Sequence, residues 1–328
     1  MVAVIEQAEG EGWKIWNADC VDVTRGLPDN KLHYTVFSPP FESLYTFSDD
    51  PRDMSNCNNS ETFWAHFDFL IAELYRATMP GRLCSIHCMQ LPTSKLRGGF
   101  IGLRDFRGDI IRGFQRAGWL YHSEVCIRKD PVAAMQRSKS IGLLHKQICK
   151  DSSLSRMAVA DYVVTMRKPG ENPERISEPF DCYYGSETTP LGPLVTETGK
   201  TKSTNLPGDE WYSVAVWQRY AEPIWLDINQ GDVLSHRAAR AEADERHISP
   251  LQLTVIRRCI DLWSNPGDVV YSPFAGIGSE LYCAIDMGRR ALGAELKASY
   301  FRQAAANLNT AVENKSRVTL LDHMEAAE

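Results

Sequence analysis

The stretch Asp268–Leu296, DVVYSPFAGIGSELYCAIDMGRRALGAEL, most constrains what this chain can fold into. Val269-Val270-Tyr271 is an apolar run with the length of a buried strand. It enters a turn, Ser272-Pro273-Phe274-Ala275-Gly276-Ile277-Gly278. A helix-like stretch follows from Ser279 to Met287, and Gly288 stops it. A second strand, Ala291 to Ala294, runs into Glu295. Glycines in such a turn let the backbone pass close beneath a ligand. An acid ending the next strand can accept hydrogen bonds from ribose hydroxyls. The order therefore predicts a nucleotide-type cofactor site. A dinucleotide fingerprint would have a third glycine where Leu281 stands.

A second feature lies far upstream. Tyr34–Phe37 reads as a short strand that delivers the chain to Ser38-Pro39-Pro40-Phe41. An exocyclic amine on a nucleobase is a poor nucleophile, because its lone pair is delocalised into the ring. Two acceptors on its hydrogens draw the nitrogen towards tetrahedral geometry and free the lone pair. Ser38 Oγ and the Pro39 carbonyl are suitable acceptors, the prolines stiffen the turn, and Phe41 can stack on the ring. A base reaches such a site by leaving its helix, at a cost of a few kcal/mol. Catalysis there comes from alignment and electrostatics. No Pro-Cys dipeptide occurs, which argues against a thiolate attacking a ring carbon.

Ser272–Gly278 with Ser38–Phe41, in that order, resembles the beta group of amino-methylating DNA methyltransferases, in which the catalytic motif precedes the cofactor motif. SPPFESLYTFSDDPRDMSN, LLHKQICKDSSLSRM, NPGDVVYSPFAGIGSE and LGAELKASYF are similar to a phage and prophage branch of that group. The resemblance implies S-adenosylmethionine as cofactor and double-stranded DNA as partner. It implies catalytic roles for Ser38, Pro39, Pro40 and Phe41. It implies cofactor contacts at Asp19, Cys20, His247, Pro250, Ser272, Phe274, Gly276, Gly278, Ser279 and Glu295. The group often has Asp where this chain has Ser272, and Ser-Gly-Thr where it has Ile277-Gly278-Ser279. Ser at the first catalytic position is commonest in cytosine-N4 enzymes and Asp in adenine-N6 enzymes, so the resemblance favours cytosine N4. Adenine N6, RNA as substrate, and a methyltransferase-like DNA-binding protein without useful catalysis stay open as alternatives, as does a restriction-modification setting. Dimerisation is frequent in the group, and the aromatic stretch 211–229 could serve it.

Strands alternating with helices indicate a largely parallel sheet. Seven strands are expected, near positions 14, 35, 84, 124, 163, 270 and 292, the number of a Rossmann-like methyltransferase sheet. Helices are expected from Ser60, where an N-cap opens TFWAHFDFLIAELYRATM, and over Arg104–Ala117, Leu251–Trp263 and Ser299–Asn309, with the last dozen residues frayed. The permuted order divides the chain into a catalytic half (1–128), a later strand with an inserted target-recognition region (129–245), and a cofactor half (246–328). Residues 170–210, rich in Gly, Pro, Thr, Ser and Glu, read as a long loop, and 211–229 as a packed aromatic subdomain.

The net charge of −6 does not mark a nucleic-acid binder, so the distribution of charge matters more than its sum. Arg128, Lys129, Arg137, Lys139, His145, Lys146, Lys150 and Arg156 form one basic stretch and are the candidates for DNA contacts. Arg97, Arg104, Arg107, Arg112 and Arg116 form a second. Nine scattered cysteines read as reduced core thiols in a cytosol, and no run predicts a membrane span. Cys84, His87 and Cys88 lie on one expected strand with no second ligand pair at finger spacing, so they read as core residues rather than a metal site.

Overall fold

The computed structural model describes residues 4–42, 50, 52–57, 59–93, 99–138, 144–155, 157–176, 180–185, 191, 194–195, 199–202, 206–235 and 250–325. Its strands are β1 (Glu6–Gly10), β2 (Trp13–Asn17), β3 (Leu32–Phe37), β4 (Thr78–Met89), β5 (Leu91–Thr93), β6 (Gly102–Arg104), β7 (Leu120–Ile127), β8 (Asp161–Arg167), β9 (Leu194–Val195), β10 (Thr201–Lys202), β11 (Ile224–Trp225), β12 (Val269–Ser272) and β13 (Arg290–Glu295). Nine of them form one sheet in the order β1-β2-β13-β12-β3-β4-β8-β7-β11. Strands β2, β13, β12, β3 and β4 run parallel, and β8 runs against both β4 and β7.

All seven expected strands are in this sheet. The count is nine because two edge strands join them. β1 is almost wholly exposed and β11 has two residues, so neither leaves an apolar run to read.

Helices cover both faces. On one lie α1 (Cys20–Gly26), α2 (Ser60–Ala77) and α3 (Phe106–Arg116). Their core includes the buried rings of Phe63, Phe67, Phe106 and Phe114. The short helices α4 (Pro131–Ser138) and α5 (His145–Lys150) follow β7, and α6 (Tyr212–Tyr220) precedes β11. On the other face lie α7 (Leu253–Trp263), α8 (Ser279–Asp286) and α9 (Ala298–Glu325), packed through Ile256, Ile260, Leu281, Phe301 and Leu308.

Three local readings change. Asn59, not Ser60, caps α2, its side chain accepting from Thr62 N at 2.8 Å. The helix ends at Ala77, and Thr78-Met79, the close of the expected helical run, instead begin β4. α9 runs past Asn309 to Glu325.

The aromatic stretch does form a packed unit. Tyr212, Val216 and Tyr220 cluster with Phe180, Tyr183, Tyr184 and Leu191. Beneath them Arg258 is fully buried and binds Asp227 through two nitrogens, at 3.0 and 2.6 Å. Deleting either partner would strand a buried charge, a loss of about 3–5 kcal/mol. Among the described residues no helix is long and apolar enough to cross a membrane.

Candidate active site

Parallel strands collect their carboxyl ends on one edge of the sheet. Glu295, Ser272 and Phe37 end neighbouring strands there, and Ser38–Phe41 and Ser272–Gly278 both leave from it. Phe274 makes the link: its ring lies 5.7 Å from Phe37 and stacks on Phe67 at 6.5 Å.

The glycine turn depends on its glycines for two different reasons. Gly276 has φ +53, and a Cβ there would meet nothing within 4 Å among the described residues, so they leave the turn open above it. Gly278 has φ +86 and caps α8, and a Cβ there would lie 3.1 Å from Ala304 Cβ on α9. The first glycine leaves room for a ligand, and the second lets a helix close in. Ser279 opens α8 and is buried.

Glu295 closes the turn, accepting from Gly276 N and Lys297 N at 2.8 Å each. Burial, with the Asp53 charge adding, pushes its pKa up to about 7. Asn17, at the end of β2, donates to the carbonyls of Glu295 and Leu296 at 2.8 Å and locks the neighbouring strand end. Asp19 then caps α1, accepting from Val21 N and Asp22 N, while burial raises its pKa. The Cys20 thiol points into the core, which raises its pKa well above the usual thiol value. Its backbone is what remains for a ligand. Pro250 is half-buried just before the buried Leu251, and His247 lies outside the described residues. Ser272 Oγ is fully buried and has no hydrogen-bonding partner among the described residues.

At the Ser38–Phe41 turn Ser38 Oγ lies 2.7 Å from His87 Nδ1. The register explains the meeting. Phe37 pairs with Ile86 across β3 and β4, so the next residue on each strand comes together. His87 Nε2 lies 3.2 Å from Asp161 Oδ2, and Lys129 Nζ lies 2.6 Å from the same oxygen. Burial of Asp161 favours its neutral form, but His87 and Lys129 outweigh this and hold its pKa below the usual carboxylate value. His87 is therefore more than a core residue: it touches Ser38, the serine expected to be catalytic. Cys84 and Cys88 are fully buried core thiols, as expected.

Phe41 packs edge-on against Phe106 at 6.1 Å and tilts over His87 at 6.4 Å. Glu42, directly after it, has φ +50, a costly conformation for a residue with a Cβ. Arg104 holds it there through two bonds of 2.6 Å, with Ser60 Oγ adding one of 3.0 Å.

The basic stretches sort unevenly. Lys129 serves Asp161 and is only 24% exposed along its side chain. Arg128 is exposed beside the catalytic edge, with Asp130 4.0 Å away. His145, Lys146 and Lys150 are exposed on α5, and Arg137 lies on α4. Lys139 and Arg156 lie outside the described residues. The second stretch is mostly neutralised: Arg104 binds Glu42, Arg107 binds Glu124, Arg112 binds Asp109 and Arg116 binds Asp68.

One trio with metal-ligand atoms, His33, Glu174 and Asp268, sits at the opposite edge of the sheet. His33 Nδ1 accepts from Val269 N, which leaves its proton on Nε2 facing the carboxylates, and Arg82 already neutralises Asp268 at 3.2 Å.

An open glycine turn and a strand-end acid thus share an edge with Ser38-Pro39-Pro40-Phe41. The family model of the N6/N4 methyltransferases, described as DNA methylase, matches residues 32–306. The chain belongs to this family. It is an S-adenosylmethionine-dependent DNA methyltransferase of the N6/N4 type. No curated protein sequence matches.

Two examples show the fold among solved structures. One is a candidate DNA modification methylase of Thermus thermophilus, also solved with S-adenosyl-L-methionine: 21% identity, TM-score 0.57, 90% of this chain and 93% of that one covered. The other is the cytosine-N4-specific PvuII DNA methyltransferase: 11% identity, TM-score 0.57, 94% and 92% covered.

The residues present fit the cofactor. Among the described residues nothing crowds Gly276, the Glu295 carboxylate has lone pairs left for hydroxyls, and the buried Ser272 Oγ has no hydrogen-bonding partner.

Proposed function

We propose that this enzyme methylates the N4 amino group of a cytosine flipped out of double-stranded DNA. The observation that carries the reading is Ser38 Oγ, held by His87 at the end of β3, on the edge where the Gly276–Glu295 turn opens. Glu295, Asp19, Ser272, Phe274 and the backbone of Gly276 and Gly278 would hold S-adenosylmethionine, which supplies an electrophilic methyl group when bound. Ser38 Oγ and the Pro39 carbonyl accept the two amino hydrogens and turn the nitrogen lone pair out of the ring. Phe41, braced by Phe106, stacks on the base. The serine in place of an aspartate is what favours cytosine over adenine.

Arg128, His145, Lys146 and Lys150 supply phosphate contacts along the segment that leaves β7 at the catalytic edge. Binding through these cations falls steeply with salt.

The test is transfer of a labelled methyl group to unmethylated duplex DNA, with the product nucleosides separated by mass spectrometry. N4-methylcytosine is the expected product. N6-methyladenine would correct the base and keep the mechanism. Absence of any methylated nucleoside across many sequences, with cofactor bound, would remove the reading.

A further inference from the structure

The proton that the amine must lose has no assigned destination, and the chain Ser38–His87–Asp161–Lys129 offers one. The order of protons along it follows from which atoms can only accept. Asp161 Oδ2 is a carboxylate oxygen, buried and neutralised by Lys129 at 2.6 Å, so it donates nothing. His87 Nε2 lies 3.2 Å from it, close but outside hydrogen-bonding geometry and with no hydrogen-bond partner among the described residues, and a hydrogen on Nε2 is the arrangement that lets the ring face a carboxylate. That leaves a lone pair on Nδ1, and Ser38 donates its hydroxyl hydrogen to it across 2.7 Å. The Ser38 lone pairs are thereby turned away from His87 and towards the substrate side. The approach of Nε2 to Asp161 is loose, as acid–base contacts often are before substrate binds.

A Ser–His–Asp chain also occurs in acyl-transfer enzymes, where the serine attacks a carbonyl. Here Pro39 and Pro40 follow the serine, and neither has an N–H. The turn therefore lacks the backbone donor that normally follows such a serine and stabilises an oxyanion. The chain can move a proton, but it is poorly built for nucleophilic attack.

We propose that His87 is a relay residue that takes up, through Ser38, the proton released by the methylated amine. The proposal rests on the amino-methyltransferase reading. The balance is one bond for one bond. The amine nitrogen gains the methyl group as the donor's sulfur–carbon bond breaks, and the electron pair stays on sulfur. The nitrogen then gives one proton to Ser38 Oγ, and Ser38 gives its own proton to His87 Nδ1. The resulting imidazolium faces the Asp161 carboxylate. The groups facing His87 are Ser38 and Phe41 from the turn after β3, Asp161 from β8, and Lys129 beyond Asp161 from the segment after β7. Lys129 on its far side keeps Asp161 ionised, so a carboxylate stands ready to stabilise the imidazolium as it forms.

Two measurements test the relay, and the first needs no turnover. Protein labelled with 15N-histidine, without cofactor, is compared by NMR with the His87→Asn variant to assign the His87 signals. The expected result is an imidazole protonated on Nε2, with an Nδ1 resonance that shifts when Ser38 is changed to Ala. A proton on Nδ1 would overturn the relay. The second is single-turnover methyl transfer by wild type and His87→Asn as a function of pH. Asn can still hydrogen-bond Ser38 but takes up no proton. The variant is expected to bind S-adenosylmethionine within about twofold of wild type, to transfer about a hundredfold more slowly, and to lose the acid limb of the wild-type profile. A wild-type rate and profile in the variant would sink the relay while leaving the methyltransferase intact. If the wild-type protein methylates no DNA, the functional reading fails and the NMR result alone decides the proton order.

Discussion

At the β12–α8–β13 corner the contacts that shape the site involve the backbone: the N–H groups of Gly276 and Lys297 on Glu295, and a turn that passes through two positive φ angles. At the neighbouring corner, after β3, they join side chains to side chains: Ser38 to His87, His87 to Asp161, Asp161 to Lys129, and Glu42 to Arg104. The first corner is one continuous stretch. The second is assembled from segments more than a hundred residues apart. A backbone-built site tolerates changes of side chain and fails when a Cβ appears. A side-chain relay fails at any link, while its backbone carries on unaltered. The two corners should therefore break in different ways.

The largest difference should come from Ser38→Ala. Removing the acceptor is expected to lower the transfer rate about 10²–10³-fold, by analogy with loss of one oxyanion donor. S-adenosylmethionine affinity, measured by calorimetry, should stay within about twofold. Weakened cofactor binding would mean that the two corners are not separable.

Gly276→Val should do the reverse. A β-branched residue at φ +53 adds strain of about 1–2 kcal/mol and fills the open space above the turn. Cofactor affinity should fall at least about tenfold. An unchanged affinity would show that the ligand does not pass over Gly276.

A third effect follows from Glu295, whose free-state pKa is about 7. Binding a cationic sulfonium ligand through hydroxyl donors favours the ionised carboxylate. Below pH 7 the proton must first be removed, so cofactor affinity should fall as pH drops, by up to about tenfold per unit. The sign for stability is opposite. A carboxyl whose folded pKa is raised contributes best when protonated, so the cofactor-free protein loses stability as pH rises from the unfolded value of 4.5 through 7. In Glu295→Gln the pH dependence of binding should flatten. Titrations at several pH values, with thermal melts beside them, read both signs.

The smallest effect belongs to the DNA surface. Lys150→Ala should weaken binding uniformly across DNA sequences and reduce the slope of log K against log salt by about 1. An unchanged slope would remove α5 from the interface.

How far the sequence could be read follows the same division. The glycine turn was legible because its whole logic lies in adjacent residues. The seven strands were legible because each carries its own apolar run. β1 and β11 were not, since an exposed pairing strand and a two-residue edge bury too little to leave a pattern. His87 sits in the apolar run of β4 and looks like core there. The available signal was indirect: a single histidine in a strand parallel to the one that ends at Ser38, one residue beyond the Phe37–Ile86 pair. Reading it requires the register, which no local pattern supplies. Lys129 reads in sequence as one of a basic series, because nothing near it announces Asp161. Arg104 reads in sequence as one of a basic series, and only the fold brings it to Glu42, 62 residues away. Long-range charge pairing is invisible to any window along the chain.

The position of β12 and β13 has a consequence for how the molecule is made. They lie between β2 and β3, two strands at the other end of the chain, and Asn17 reaches Glu295 across 278 residues. On a ribosome, β2 and β3 must wait with their inner edges unpaired until residues 269–295 emerge. Nothing local can close that gap, so formation of the sheet is slow and comes after most of the chain exists. A product that stops short of β12 would expose two apolar strand edges side by side, and its fate is aggregation or proteolysis rather than partial activity.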